Sequence, residues 1–350
     1  MFKKKTASAR AVVGLDLEPS HLAAAEVHVN GSVSVTRGAV VPLRAGVMRD
    51  GEVADGPALT AALKEMWAEH KLPTRVRIGV ANQRIVVRTL DLPPLTDEKA
   101  IAAAVRVEAP DHIPMPMDEA VLDFQTLGMV ETAAGPRMRV IVVAVRREMV
   151  ERISGAARDA GLKVEGIDLS AFAMVRALGK ADSTGATLYM NVAGLTNVAV
   201  ASGLNCLFTR AAGGGLEQMV QTLAERRALT NEHAHQWMVH VGMETPADQV
   251  DGDPELVTAV RGVLDEGIHQ LADTVRNSLN FYRMTQGSET VERAVLTGPA
   301  VSIPGFSEAL SAQLRLPVTP TVVGHGADLA EADAPRMSVA AGLAVESVST

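Results

Sequence analysis

The stretch VVGLDLEPSH, residues 12–21, recurs in degraded form as LYMNVAGLTN, residues 188–197, about half the chain away. Each copy is an apolar run that ends in a small polar turn and is followed by a second apolar run, residues 23–29 in one case and 198–201 in the other. A strand, turn and strand repeated at this distance predicts two related halves, although two unrelated hairpins would leave the same trace. The turn after such a first strand is where many phosphate-binding folds place backbone N–H groups and a carboxylate that orients a metal's water. Asp16 is present in the first copy and Asn191 stands at the equivalent place in the second. Glu18 sits where a glycine is expected if a phosphate is to approach.

Composition narrows the class. The 350 residues suffice for two or three domains, and 47% hydrophobic with 21% charged residues describes an ordinary globular chain. Aromatic residues are only 3%, so Ala, Val and Leu must fill the core, which suits a helix-rich α/β fold. A net charge of −8 argues against nucleic acid as a partner. The single cysteine, Cys206, excludes an intrachain disulfide and a cysteine zinc site and fits a reducing compartment. No run approaches the roughly 18 apolar residues of a membrane span. Lys3, Lys4 and Lys5 precede polar residues rather than a signal-peptide core, so the expected location is inside the cell and the basic tip reads as a solvated tail.

Along the chain, Pro57 opens a helix with Leu59, Leu63 and Met66 on one face, and residues 76–80 and 85–90 read as a strand pair around Asn82, Gln83 and Arg84. Thr96 is the expected cap of a helix over 97–109 that Pro110 ends. Residues 113–128 read as an extended segment leading into a strand that pairs with 137–145, 147–160 as a helix closed by Gly161, 164–168 as a strand and 171–178 as a helix. Residues 181–185 are the expected linker to the second hairpin. Beyond it come Gly213, Gly214 and Gly215, a helix over 216–227, a polar stretch to Pro254, a long helix over 255–283, a strand over 291–297, and helices over 305–314 and 338–345. Strands and helices alternate throughout, as in α/β folds with mixed sheets.

Several segments, in this order, resemble one family, the type IV pilus assembly proteins PilM, relatives of actin and of the division protein FtsA. They are Met1-Phe2-Lys3 and VGLDLEPS, GVMRDGEVAD (46–55), VVRTLDLPPLTDEKAI (86–101), IPMPMDEAVLDFQTLG (113–128), VIVVAVRREMVE (140–151), AGLKVEGIDLSAFAMVRAL (160–178), RNSLNFYR (276–283) and VERAVLTGPAVSIPGF (291–306). Together they cover nearly the whole chain. The resemblance implies an α/β, two-lobed actin-like fold (a duplicated ribonuclease H-like unit) with a small α+β domain inserted in the first lobe. The expected division is 1–84 with 169–182 and 337–350 for the first lobe, 85–168 for the insertion and 183–336 for the second lobe.

The same resemblance implies nucleotide between the lobes, held by two phosphate loops and an adenosine loop, so that Gly14, Asp16, Asn191, Gly215 and Gly298 are the candidate remnant site. This chain departs from the family pattern there. Glu18 replaces the second glycine of the first loop, and Ala23 stands near the usual lysine. The second Asp-x-Gly reads Asn191-Val192-Ala193, and the adenosine loop reads Gly298-Pro299-Ala300. A carboxylate about 4 Å from a phosphate charge costs about 4 kcal/mol at an effective dielectric of 20. Pro299 removes an N–H and fixes φ. The expectation is therefore no cofactor and no catalytic residue, with ATP and Mg as the alternative; the competing readings are an active ATPase switch and an FtsA-like division filament, for which the tail 346–350 offers no amphipathic helix. As turn residues, Asp16 and Asn191 could instead bond their own backbone.

His233, His235 and His240 do not share a helix face and read as solvated rather than metal-binding. Ser20 and His21 are expected to point apart, as strand neighbours do, which rules out a nucleophile and base. The family resemblance also implies a partner: the N-terminal cytoplasmic peptide of PilN, a single-pass membrane protein, bound in an apolar groove between the first lobe and the insertion. Its expected borders are Asn82, Gln83, Arg84, Ile113 and Met115, with Met117 beside them. Other pilus platform or motor components are further expected partners. The chain would lie at the inner face of the cytoplasmic membrane, reaching the membrane only through its partner.

Overall fold

The computed structural model describes residues 11–285 and 287–345. The basic tip at Lys3 to Lys5 and the tail 346–350 lie outside the described residues. In chain order, β1 (Val13–Leu17), β2 (His21–Asn30) and β3 (Ser32–Pro42) form a meander, and a ribbon of β4 (Met48–Arg49) and β5 (Glu52–Val53) leads to α1 (Gly56–His70) and β6 (Arg75–Val80). Then come β7 (Val86–Leu92), α2 (Glu98–His112), β8 (Ala120–Thr132), β9 (Gly135–Arg146), α3 (Arg147–Asp159), β10 (Lys163–Leu169) and α4 (Ser170–Leu178). A second meander of β11 (Ala186–Val192), β12 (Thr196–Ser202) and β13 (Asn205–Ala212) precedes α5 (Leu216–Arg227), α6 (Asn231–Val241) and α7 (Pro254–Arg283). The chain continues with β14 (Val291–Thr297), α8 (Phe306–Leu314), β15 (Val318–Pro320), β16 (Gly324–His325) and α9 (Ser338–Ala344).

The duplication suggested by the two hairpins is visible in the sheets. The first runs β10-β6-β1-β2-β3-β16 and the second β15-β14-β11-β12-β13. In each, an antiparallel three-stranded meander is extended beyond its first strand by two parallel strands. Parallel neighbours need crossover connections, and α1 with the β7–α3 excursion supplies them in one half, α5 to α8 in the other. Leu15, Ile78, Leu59 and Ile153 belong to one core and Leu188, Leu296, Leu264 and Phe306 to another.

A third core lies between the two sheets, where α4 and α9 bring Met174, Val175, Val339 and Leu343 against Tyr189, Ala199 and Cys206. Two glycines make this layer possible. A Cβ on Gly14 would lie 1.8 Å from the Ala340 carbonyl oxygen, and one on Gly342 would lie 1.8 Å from the Ala173 carbonyl oxygen. Backbone therefore packs on backbone at both places. The freed carbonyls at the end of α9 are met by Arg77, whose Nη1 donates to Leu343 at 2.9 Å and Val345 at 2.7 Å.

Several sequence expectations change. Residues 76–80 and 85–90 are not a pair: β6 lies in the first sheet and β7 in a separate sheet ordered β7-β9-β8. Asn82 makes the break, its Oδ1 accepting from the N–H of Arg84 at 2.8 Å and of Ile85 at 2.9 Å, an Asx turn that redirects the chain. Lys163–Leu169, expected in the insertion, is the edge strand of the first sheet, and α3 packs into the first core, so the inserted sheet ends at Arg146. Gly324–His325, expected in the second lobe, pairs with β3. Asp97 rather than Thr96 caps α2, accepting from Ala100 N–H at 2.8 Å. That helix runs past Pro110, because a proline in the last turn removes only one ladder bond and the Ile113 N–H still reaches the Ala109 oxygen at 2.9 Å. The polar stretch after α5 contains α6, capped by Thr230 and seated by Ala234, Met238 and Val241. No helix among the described residues is long and apolar enough to cross a membrane.

Candidate functional site

The β1–β2 turn of the first half meets the β11–β12 turn of the second, and the contact is made by Glu18. The turn is held from within by the Glu18 N–H, which donates to the His21 carbonyl at 3.0 Å, and from outside by the Leu43 N–H on the Ser20 carbonyl at 2.8 Å. Pro19 fixes a further φ angle. The Glu18 side chain, 6% exposed, extends across to the second half, where its Oε2 accepts from the Gly194 N–H at 3.2 Å. Gly194 is closed in on three sides: a Cβ there would lie 2.7 Å from Pro19 Cδ and 2.9 Å from Oε2 of both Glu18 and Glu217.

Glu217, in the first turn of α5, accepts a hydrogen bond from the Ser20 hydroxyl, a second tie between the same turn and the second half. Ser20 Oγ also lies 3.0 Å from His21 Nδ1. The expected divergence of Ser20 and His21 is thus overturned, because Ser20 precedes β2 and belongs to the turn, where side chains do not alternate. The Ser20 hydroxyl is nonetheless tied to Glu217, and no nucleophilic role is assigned to it. Arg336, in the helical turn before α9, comes within 2.9 Å of His21 Nδ1 through Nη1.

Glu18 and Glu217 thus gather at the Arg336 guanidinium, with Asp16 acting on Glu18. Burial pushes the Asp16 carboxyl up to about 7, against hydrogen bonds from the Leu17 backbone and the Ser170 side chain that favour its charged form. Burial, with repulsion from Asp16 and Glu217, holds Glu18 well above the usual carboxylate range. Burial also raises Glu217, while Ser20 and Arg336 pull it back. His21 is held well below its usual value, by burial first and the Arg336 charge second. The excess of carboxyls over cations favours protonated acids here, since two buried like charges cannot both be kept cheaply.

The candidate remnant residues are distributed around this contact. Asn191 faces Gly298, where a Cβ would lie 2.2 Å from Asn191 Oδ1, and Gly298 has a φ of 87°, which a side chain rarely adopts. Gly215 backs the β11–β12 turn, its would-be Cβ 2.3 Å from the Ala193 oxygen. Gly14 is spent on packing α9, as described above. Of the expected groove border, Asn82 and Ile113 are buried at 4% and 3%, one in its turn and one in the core of the inserted sheet, so neither side chain is available to a partner. Gln83 and Arg84 are exposed, Arg84 paired with Glu52 at 3.0 Å, and Met115 and Met117 are half-buried against that core.

Sequence reasoning missed Gly194, Glu217 and Arg336. Gly194 stands opposite Pro19 in the repeat, Glu217 follows the three glycines, and Arg336 is the only basic residue after His325. Those were the available signals, and each is weak until the fold brings its partner near. The three histidines gather no metal site: no group of three or more His, Cys, Asp or Glu side chains suited to a metal occurs among the described residues. His240 Nε2 lies 2.8 Å from the Asp251 carbonyl oxygen, but His235 is half-buried rather than solvated, because α6 packs its flank on the second core.

Comparison with known proteins agrees with this architecture. The family profile described as type IV pilus assembly protein PilM matches residues 14–348. The chain belongs to the PilM family. It is similar over 95% of its length to 97% of a chain solved in a PilM-PilN type IV pilus biogenesis complex, with 26% identity and a TM-score of 0.78. Fold likeness alone extends to the ethanolamine utilization protein EutJ of Carboxydothermus hydrogenoformans, at 17% identity and a TM-score of 0.54 over 95% of this chain and 88% of that one. MreB5 of Spiroplasma citri, solved with ADP, gives 12% identity and 0.53 over 95% of each chain. This PilM-family chain is a type IV pilus assembly protein with the two-lobed actin-like α/β fold.

Proposed function

We propose that this PilM-family chain is a non-catalytic adaptor of the inner-membrane platform of a type IV pilus or related secretion system. In this reading it is cytoplasmic and peripheral. It is recruited by the N-terminal cytoplasmic peptide of a PilN-like membrane protein and meets other platform or motor components through its body. The observation that carries the reading is the match, over almost the whole of both chains, to a protein solved as a PilM-PilN complex. The groove for the peptide is taken to lie between the first lobe and the β7-β9-β8 sheet, bordered by the exposed Gln83 and Arg84 and by Met115.

The residues between the lobes do not fit a nucleotide phosphate. Glu18 brings a carboxyl group to the Gly194 N–H, the kind of donor a phosphate oxygen would need, and Asp16 and Glu217 add negative charge if ionised. Asn191 and Pro299 further weaken the second and third loops. No chemical step is assigned to ATP or Mg.

The reading is tested by titrating the purified chain with a synthetic peptide copying the cytoplasmic N-terminus of the PilN-like protein. Saturable binding that weakens when Arg84→Glu is introduced is expected; absence of binding sinks the adaptor. Millimolar Mg·ATP in the same buffer should leave Tm unchanged, since a ligand that binds the native state raises it.

A further inference from the structure

The contact between the two hairpin turns has the form of a ligand bound in a socket, with the chain supplying both. We propose that Glu18 is an internal ligand of the second lobe: its carboxyl, seated at Gly194, bridges the cleft and holds the lobes closed. The inference rests on the nucleotide-free reading above. It goes beyond it by assigning closure to one side chain and one socket.

Four observations carry it. The Glu18 carboxyl is buried and bonded across the cleft to the Gly194 N–H. The socket admits it because residue 194 has no side chain, with Glu18, Pro19 and Glu217 all within 2.9 Å of where a Cβ would stand. The turn presenting Glu18 is stiffened by Pro19 and two backbone hydrogen bonds, so little ordering remains to be done when the contact forms. The neighbouring Ser20 makes a second tie to the same lobe through Glu217, and Arg336 stands beside both carboxyls. Opening the lobes would expose all of these groups together. A buried hydrogen-bonded carboxyl pulled from its donor leaves that donor without a partner unless water enters.

The test uses the full chain with one spin label on each lobe, at Glu69→Cys in α1 and Glu225→Cys in α5, both exposed positions. The native Cys206 is buried with its thiol pushed up to about 12, so it does not compete for the label. The interlobe distance distribution is measured in the parent, Glu18→Gln, Glu18→Ala, Gly194→Ala and the double variant Glu18→Ala/Gly194→Ala.

The parent and Glu18→Gln, which keeps an acceptor at the same reach, should show one narrow closed distance. Glu18→Ala should widen it and lower Tm. Gly194→Ala should widen it as much, by pushing the carboxyl out from the other side. The double variant should match either single, because both remove one contact. If Glu18→Ala does not fold, Gly194→Ala carries the same reading. A distribution unchanged in Glu18→Ala or in Gly194→Ala would overturn the proposal, as would strictly additive losses in the double variant. A parent distance that shifts with Mg·ATP would sink the nucleotide-free reading. An unmoved variant distance without nucleotide sinks the internal ligand alone.

Discussion

The two halves of this chain share one topology and differ at one turn. The β1–β2 turn carries Glu18 and Pro19, a charge-bearing group and a stiffener. The β11–β12 turn carries Ala193 and Gly194, a bare backbone donor. Two copies that kept the same turn would face each other with the same groups and would need a third party between them. Here one copy has become the acceptor and the other the donor, so the turns bond each other directly, Glu18 Oε2 to Gly194 N–H. Divergence after duplication has made the halves complementary.

The same asymmetry governs the strands below. Asp16 and Asn191 are equivalent positions, both 4% exposed, but one ionises and the other does not. Asp16 has a folded value of about 7 against 3.8 when exposed. Between those values the folded chain holds a proton that the unfolded chain has lost, so this group's stabilisation is full below the lower value and is lost as pH rises through the higher. Asp16→Asn, which gives the first copy the residue of the second, should therefore raise stability at pH 8 and change it far less at pH 4, the more so because it also removes a repulsion from Glu18. His21 works in the opposite sense, losing stability as pH falls below its usual value of 6.5. It cancels when the variant is subtracted from the parent. Urea unfolding of both proteins across this range checks the claim, and a difference that does not grow between pH 4 and pH 8 breaks it.

The second effect lies where Gly14 stands against the helix layer. Gly14 is equivalent to Tyr189 in the repeat: α9 lies directly on backbone at Gly14, whereas Tyr189 fills the space beside α4 and α9. Gly14→Ala should cost about 3 kcal/mol, the upper part of the usual range for overpacking, because the atom in the way is a backbone oxygen and cannot turn aside. Thermal unfolding measures this. An unchanged Tm would mean that α9 can shift at little cost and that the two sheets do not grip it as described.

How much of this was legible in the sequence follows from the same contrasts. The repeat was readable because Val13 to Leu17 and Leu188 to Val192 keep strand character and each is followed by a short turn and a second apolar run, a pattern that survives divergence of the turn residues. The third strands of each meander and α6 were not read: β3 alternates over Ser32 to Val35 but loses the pattern at Arg37 and Gly38, β13 alternates weakly, and the apolar face of α6 is hidden among Asn, Glu, Gln and three His. The misplacement of β7 had a specific cause, since an Asx turn at Asn82 and a hairpin turn draw on the same residue types. At the candidate site Asp16, Glu18 and Asn191 were visible as departures from a pattern. Gly194, Glu217 and Arg336 were not, because each acquires its role from a residue more than 100 positions away, Glu18 or Ser20 for the first two and His21 for the third. A single sequence records turns and faces well and cross-lobe partners poorly.

The smallest of these effects sits one strand further into the second half. Asn191 is level with Thr297 of β14, fully buried, whose hydroxyl lies 2.6 Å from that of Ser338 at the start of α9. In the first half the residue beside Asp16 is Gly79, where a Cβ would lie 2.9 Å from Leu343 Cδ1 and 3.0 Å from Ser170 Oγ, so a larger side chain has no room. The second sheet is thus pinned to the start of α9 by a hydroxyl pair, whereas the first meets α9 by close packing at Gly14 and by Arg77 on the carbonyls at its far end. Ser338→Ala removes one hydroxyl and leaves Thr297 with an unpaired buried group, a loss of about 1 kcal/mol. Adding Thr297→Val should recover most of it, because an apolar pair of similar shape leaves nothing unsatisfied. Urea midpoints of the parent, single and double variants distinguish the cases: a single variant as stable as the parent, or a double variant worse than the single, would show that this contact does not fasten α9 to the second sheet.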